Sequence, residues 1–235
     1  MTAPNPYQAP VADGDMPELA AGDFSIGAAL SEAFEVTKQN FPLWLGVGIV
    51  GFLLVGLSAI TIIGYFVLVP VFTWGLCRFL LNMVDGRATF GDLFSGFSNY
   101  GTNLWRMLGV SVCFIGLVLL GDSIALVGQL TKSSGLQTFG SLVYLVFTFT
   151  VLLRFYFAMF FLVDNPNMGA IESLSASWAA TRGKTLKLIG LALVSGLVGM
   201  LGLLALVVGV LFTLTMSYVA YAAAYRRMVG PTHAR

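Results

Sequence analysis

The sequence predicts an all-α, polytopic membrane bundle: six transmembrane helices in three hairpins, each hairpin preceded by a cytoplasmic interfacial amphipathic helix. Three observations predict it. Of the 235 residues, 57% are hydrophobic and only 10% charged, whereas a soluble domain carries roughly 25% charged residues. Two long stretches, from Lys38 to Arg78 and from Lys187 to Arg226, hold no charge between their ends. Lys and Arg then fall almost entirely on one side of the hairpins those stretches imply.

The elements follow in order. Residues 1–23 contain Asp13, Asp15, Glu18 and Asp23, several prolines and no basic residue. A secretory signal needs a basic start before an apolar stretch, so this segment reads as a disordered cytoplasmic tail, too polar to offset chain entropy by burial. The membrane domain occupies 24–230, and 231–235 form a second cytoplasmic tail. As a single helix, an uncharged stretch of about forty residues would measure ~60 Å, twice the ~30 Å hydrocarbon layer. Each such stretch therefore crosses twice, which gives helices over 42–61, 64–84, 185–204 and 207–228. The run between Arg106 and Arg154, interrupted only by Asp122 and Lys132, gives 103–122 and 140–163 with a polar loop from Lys132 to Gly140. Asp122 then lies at a hydrated outer helix end. Pro70 kinks the second helix or sits where neighbours satisfy the freed carbonyl. Small residues at helical spacing (Ala192/Gly196, Ser195/Gly199, Gly209/Thr213/Ser217) let helices approach closely. Cys77 and Cys113 lie inside apolar runs and read as small buried hydrophobes.

Orientation follows from the cations. One side collects Lys38, Arg87, Arg106, Arg182, Lys184, Lys187, Arg226, Arg227 and Arg235, and the other only Lys132. Positive charge is retained in the cytoplasm, so both termini are expected inside.

The amphipathic segments share a register. A Leu (Leu30, Leu93, Leu174) precedes an aromatic (Phe34, Phe97, Trp178) by one helical turn, and a Gly (Gly46, Gly109, Gly190) follows further on at a constant distance. The chain thus reads as three repeats of one unit, about 24–86, 87–165 and 166–228. Each segment is too short and too polar on one face to span, so it is expected to lie along the cytoplasmic interface with Phe34, Phe97 or Trp178 as its anchor in the acyl boundary.

The run from Arg154 through Phe155-Tyr156-Phe157 to Asp164-Asn165-Pro166, followed by Ala170–Glu172 and Ser177-Trp178-Ala179-Ala180-Thr181-Arg182-Gly183, resembles a pattern in bacterial six-helix integral membrane families of uncharacterised function. Those families are related to the membrane domain of some glycerophosphodiester phosphodiesterases. Pro70–Gly75, Arg78 to Asp85-Gly86 and Phe90–Phe97 are similar, and the resemblance extends over residues 24–228. It implies a fold and an address in the bacterial inner membrane. It implies no phosphodiester hydrolysis, since no phosphodiesterase domain is recognised here.

Charges at membrane depth cost roughly 2.5–3.5 kcal/mol on insertion scales, so each asks for a partner. Arg154 lies ten residues before the predicted end region of its helix, and Arg78 nearer the boundary. Both are expected to pair with carboxylates of the amphipathic helices, Glu35, Asp92 or Glu172, or to grip a lipid phosphate, since a guanidinium fork fits either. With Arg226 they are expected around one cytoplasmic vestibule. The net charge of +1 leaves no general attraction to nucleic acid. The one histidine, His233, permits neither a His-based metal cluster nor a Ser-His-Asp arrangement. No catalytic residue, metal or cofactor is therefore expected. The expected role is a non-enzymatic scaffold or accessory protein that binds lipid or a protein partner at the cytoplasmic interface. The alternative is a small-solute transporter or channel with Arg154 on its path.

Overall fold

The computed structural model describes residues 23–58, 62–130, 134–165, 167–204 and 206–230. The expected tails, apart from Asp23, and Lys132 lie outside these. Among the described residues there are seven α-helices, one 3₁₀ helix and no strand. In chain order they are α1 (Ile26–Ser58), α2 (Ile62–Val84), the 3₁₀ segment (Phe90–Phe97), α3 (Tyr100–Leu130), α4 (Ser134–Asp164), α5 (Ala170–Thr181), α6 (Thr185–Leu204) and α7 (Leu206–Val229). Three stretches among the described residues, Ile26–Ser58, Gly64–Val84 and Thr185–Leu203, are long and apolar enough to cross a membrane. The chain is a helical bundle of membrane-protein character.

Helices α2, α4 and α7 form the interior, each touching the other two. Phe79, Leu80 and Met83 of α2, Phe157, Phe160 and Phe161 of α4, and Tyr225 of α7 are buried almost completely. The Tyr225 ring stands 5.0 Å from that of Phe161 and 5.5 Å from that of Phe160. The remaining long helices each bridge two inner ones: α1 packs on α2 and α7, α3 on α4 and α2, α6 on α7 and α4. Between α6 and α7 the small residues do what their spacing implies. The Ser217 hydroxyl donates to the Ser195 carbonyl at 3.4 Å, and a Cβ on Gly202 would come within 2.1 Å of the Thr213 hydroxyl.

Three further contacts close the bundle into a ring. Gly46 of α1 faces the ring of Phe90, Gly109 of α3 faces Ala170, and Gly190 of α6 faces Ile26. In each case the partner is the first residue of an amphipathic segment, and a Cβ added to the glycine would approach it to 3.7, 2.9 and 2.6 Å respectively.

The amphipathic segments turn mostly small residues inward and most of their large apolar ones outward. Ala29, Ala33 and Thr37 of α1 are buried, as are Leu93 and Gly96 in the 3₁₀ segment and Ser173, Ala176, Ser177, Ala180 and Thr181 of α5. Phe34, Phe90, Phe94, Phe97, Ile171 and Trp178 are exposed. In water that pattern would be inverted, because apolar area gains from leaving the solvent. The 3₁₀ segment and α5 double back along the inner helix that precedes them. Gly96 lies against the Val71 carbonyl and Gly75 against that of Leu93, while the Ser177 hydroxyl donates to the Arg154 carbonyl.

Three sequence expectations change here, and one is that α3 runs on past Asp122 to Leu130, so Asp122 does not stand at the helix end expected of it. The first amphipathic segment is not a separate helix: α1 runs unbroken from Ile26 to Ser58 with Pro42 inside it. Proline removes one ladder hydrogen bond, but Ala29, Ala33 and Thr37 before it and Val47 after it all find burial, so packing on both sides holds the helix continuous. The polar stretch 134–140 is helix rather than loop, since α4 already starts at Ser134. Adding turns to an existing helix costs little compared with nucleating one, and the apolar remainder of α4 supplies the nucleus. The side chains of Asp122 and Lys132 lie outside those described.

Candidate functional site

Local chain chemistry builds one end of the bundle. Helix α2 ends in a Schellman motif: Arg87 N–H donates to the Asn82 carbonyl at 2.9 Å and Gly86 N–H to that of Met83 at 3.2 Å. Gly86 takes φ +71°, the left-handed conformation this motif requires and glycine adopts most readily. The turn aims Asp85 and Arg87 across the end of the helix. Asp164 is the last residue of α4, next to Asn165, whose side-chain amide donates to the Phe161 carbonyl at 2.9 Å.

Arg226, in the last turn of α7, joins these two helix ends. One guanidinium nitrogen donates to Asp85 at 2.8 Å and the other to Asp164 at 2.9 Å. The Tyr225 hydroxyl adds a hydrogen bond to Asp164 at 3.1 Å, and Arg87 reaches Asp85 at 3.1 Å. The side chains of Arg226, Asp85 and Asp164 are only 7%, 9% and 4% exposed. A buried pair lacking either member would leave an uncompensated charge in a poorly solvated place. Here one guanidinium bridges two carboxylates, and the half-exposed Arg87 supplies the second positive charge.

Beside this cluster opens a cavity of about 180 Å³ lined by Arg78, Leu81, Asn82, Arg87, Val163, Asp164 and Arg226. Among the described residues Arg78, which is exposed, meets no ion-pair or hydrogen-bond partner, and the Arg226 Nε is buried without one. Three guanidiniums and one side-chain amide thus face a space bounded by a single carboxylate.

The expected partners of Arg154 take other work. Its guanidinium donates to the Thr185 hydroxyl at 2.7 Å and lies 4.1 Å from the centre of the Trp178 ring. Asp92 accepts from the Thr89 N–H at 2.7 Å and Glu172 from the Gly169 N–H at 2.8 Å, each stabilising the start of its own helix. Glu35 is exposed on α1. None of the three carboxylates meets Arg154 or Arg78. Thr185 is the first residue of α6, so the Arg154 guanidinium stands level with a helix start while α4 continues past it for ten residues to Asp164. The structure brings Arg78 and Arg226 together around one cavity with Arg87, and Arg154 is not among the residues that line it.

The expected anchors are half-exposed and also packed. Phe34 meets Phe212 edge-on at 5.7 Å, Phe97 meets Phe72 at 5.4 Å, and Trp178 carries Arg154. Two outer ion pairs tie α1 to the same end: Glu32 with Arg227 at 2.8 Å, and Asp23 with Lys187. The Lys187 hydrogen bond holds the exposed Asp23 carboxyl below its ordinary pKa, while partial burial lowers that of Lys184.

Asp85 and Asp164 are the residues sequence reasoning passed over, although a signal existed. Each is a carboxylate at a helix C-terminus, where the macrodipole disfavours negative charge, and each therefore calls for a cation. Among the described residues no group of His, Cys, Asp and Glu could hold a metal ion. No protein-family model, curated protein or solved structure matches the chain.

Proposed function

We propose that the chain is a six-span inner-membrane protein with both termini in the cytoplasm, acting as a non-enzymatic scaffold or accessory subunit that binds lipid or a protein partner at its cytoplasmic interface. One observation carries this reading. The amphipathic segments turn large apolar side chains outward, with Ile171 76% exposed and Trp178 49%, while aromatic rings fill the space between the inner helices. Such a surface suits the boundary of a bilayer, and such a filled interior suits packing rather than passage.

In this reading the chain is three copies of one unit, a segment at the interface followed by a hairpin. The glycines of the shared register receive the first residues of the three amphipathic segments, each from the next copy around, and this cycle supports the triplication. The charged end faces the cytoplasm, with Arg154 and Thr185 near the headgroups and the tips of α2, α4 and α7 beyond them. Transport is the weaker alternative. Arg154 engages Trp178 and Thr185, on α5 and α6, instead of lining a passage between inner helices.

Two measurements test the proposal. A nitroxide on Ile171→Cys, in a chain whose two native cysteines are replaced, should report a depth near the headgroup–acyl boundary of a liposome. Vesicles containing the protein should release trapped ions and small solutes no faster than empty ones. A nitroxide in bulk water would refute the interfacial reading, and protein-dependent release would favour transport.

A further inference from the structure

We infer that the cavity between Arg78, Asn82, Arg87 and Arg226 is an anion site that takes a phosphate group. The inference deepens the proposed interfacial function by naming a ligand chemistry, and for a lipid-borne phosphate it rests on that reading. Its charge balance is the first ground. Arg78, Arg87 and Arg226 face Asp85 and Asp164, which leaves one positive charge uncompensated around the cavity. Arg78 supplies it, as an exposed guanidinium with no ion pair or hydrogen bond among the described residues.

Donor geometry is the second ground. Arg226 is fixed by its two carboxylates, so its bridging role positions a rigid cationic wall and spends no mobility on a ligand. Arg78 and Asn82 lie one helical turn apart on α2, on the face that Leu81 also lends to the cavity. Together they present a planar guanidinium fork and an amide N–H₂, the groups that recognise tetrahedral oxyanions. A cavity of about 180 Å³ far exceeds the room one water needs and admits a phosphate with part of its ester.

Selectivity also follows. Asp164 lines the same cavity, so a ligand must bring enough negative charge to hold two arginines against one carboxylate. A phosphate does this better than a carboxylate or chloride, because it offers several acceptor oxygens to the converging donors. The phosphate could be a lipid headgroup or part of a soluble molecule, and the two sources share this chemistry.

The test uses the full chain, Arg78→Gln, and Lys38→Gln as a control at an exposed cation outside the cavity. In one arm, protein extracted from vesicles of phosphatidylethanolamine and phosphatidylglycerol is examined by native mass spectrometry for retained lipid. In the other, delipidated protein is titrated with inorganic phosphate, with chloride at equal ionic strength as reference. Lipid retention lost in Arg78→Gln but kept in Lys38→Gln assigns the site to a headgroup. A phosphate affinity weakened about tenfold or more in Arg78→Gln alone assigns it to a soluble phosphate. Equal behaviour of all three proteins in both arms, or equal losses in the two variants, overturns the inference. That failure would leave the nitroxide depth and the absence of solute release as they were, so the two proposals fall separately.

Discussion

Arg226 is the side chain on which the charged end depends. Replacing it with Met leaves Asp85 and Asp164 buried and unneutralised, and losing one member of a buried ion cluster costs about 3–5 kcal/mol. Arg87→Ala removes a half-exposed partner of Asp85 and should cost only ~0–1 kcal/mol. Thermal unfolding in mild detergent should therefore show a large loss for the first and little for the second. Adding Asp85→Asn and Asp164→Asn to Arg226→Met should restore much of the stability, because the three uncharged groups no longer need one another. The sequence displayed Arg226 as one more cytoplasmic cation, and Arg154 as the charge in need of a partner. It could not display that Arg226 meets residues 141 and 62 positions away, nor that a doubled-back α5 brings Trp178 and Thr185 to Arg154. Charge within an apolar run is legible in one dimension, whereas the level at which neighbouring helices start is not.

The elements depend on glycine in a way their hydrophobic pattern conceals. A Cβ on Gly75 would lie 1.9 Å from the Leu93 carbonyl oxygen, and one on Gly96 2.3 Å from that of Val71. Both obstacles are backbone, which cannot swing aside like a flexible side chain. Gly75→Ala and Gly96→Ala should therefore separate the 3₁₀ segment from α2 and destabilise the protein by at least the ~1–3 kcal/mol typical of overpacking. Gly48→Ala meets nothing within 4 Å and should be neutral or slightly stabilising, given the ~1 kcal/mol helix preference for alanine. If all three variants unfold at one temperature, the 3₁₀ segment does not pack on α2 as described. Periodicity located α2, α6 and α7 to within two residues at each end, because long uncharged stretches have few alternatives. It failed at Pro42 and at 134–140, where local propensity argued for breaks and continuous packing along the neighbouring helices overrode it. The register it read in α1, Leu30 and Phe34, is also not the buried face, which is the small one, Ala29, Ala33 and Thr37.

At the scale of the molecule, helix length and charge position bear on the same question. Helices α3 and α4 have 31 residues each, or ~46 Å against a hydrocarbon layer of ~30 Å. In the proposed six-span arrangement about ten residues of each then lie outside the layer, and in α4 the stretch after Arg154 fits that excess, because α6 starts level with Arg154. Its tip carries Asp164 and meets the tips of α2 and α7, the latter bearing Arg226 and Arg227. A single layer of charged helix ends is thus expected on one side of the bilayer, and the proposed topology, which follows the excess of Lys and Arg, puts that side in the cytoplasm. Alkaline phosphatase joined after Thr61 or after Leu206 should then be active outside the cell, while a fluorescent protein joined after Arg235 should fold inside. The two positions test different features: the first asks whether α1 and α2 cross in opposite directions despite the unbroken α1, and the second asks the same of α6 and α7. Activity after Leu206 without activity after Thr61 would mean that neither α1 nor α2 crosses. The cycle of Gly46, Gly109 and Gly190 contacts would then join one surface helix pair to two membrane hairpins, and a threefold membrane unit would no longer describe the chain.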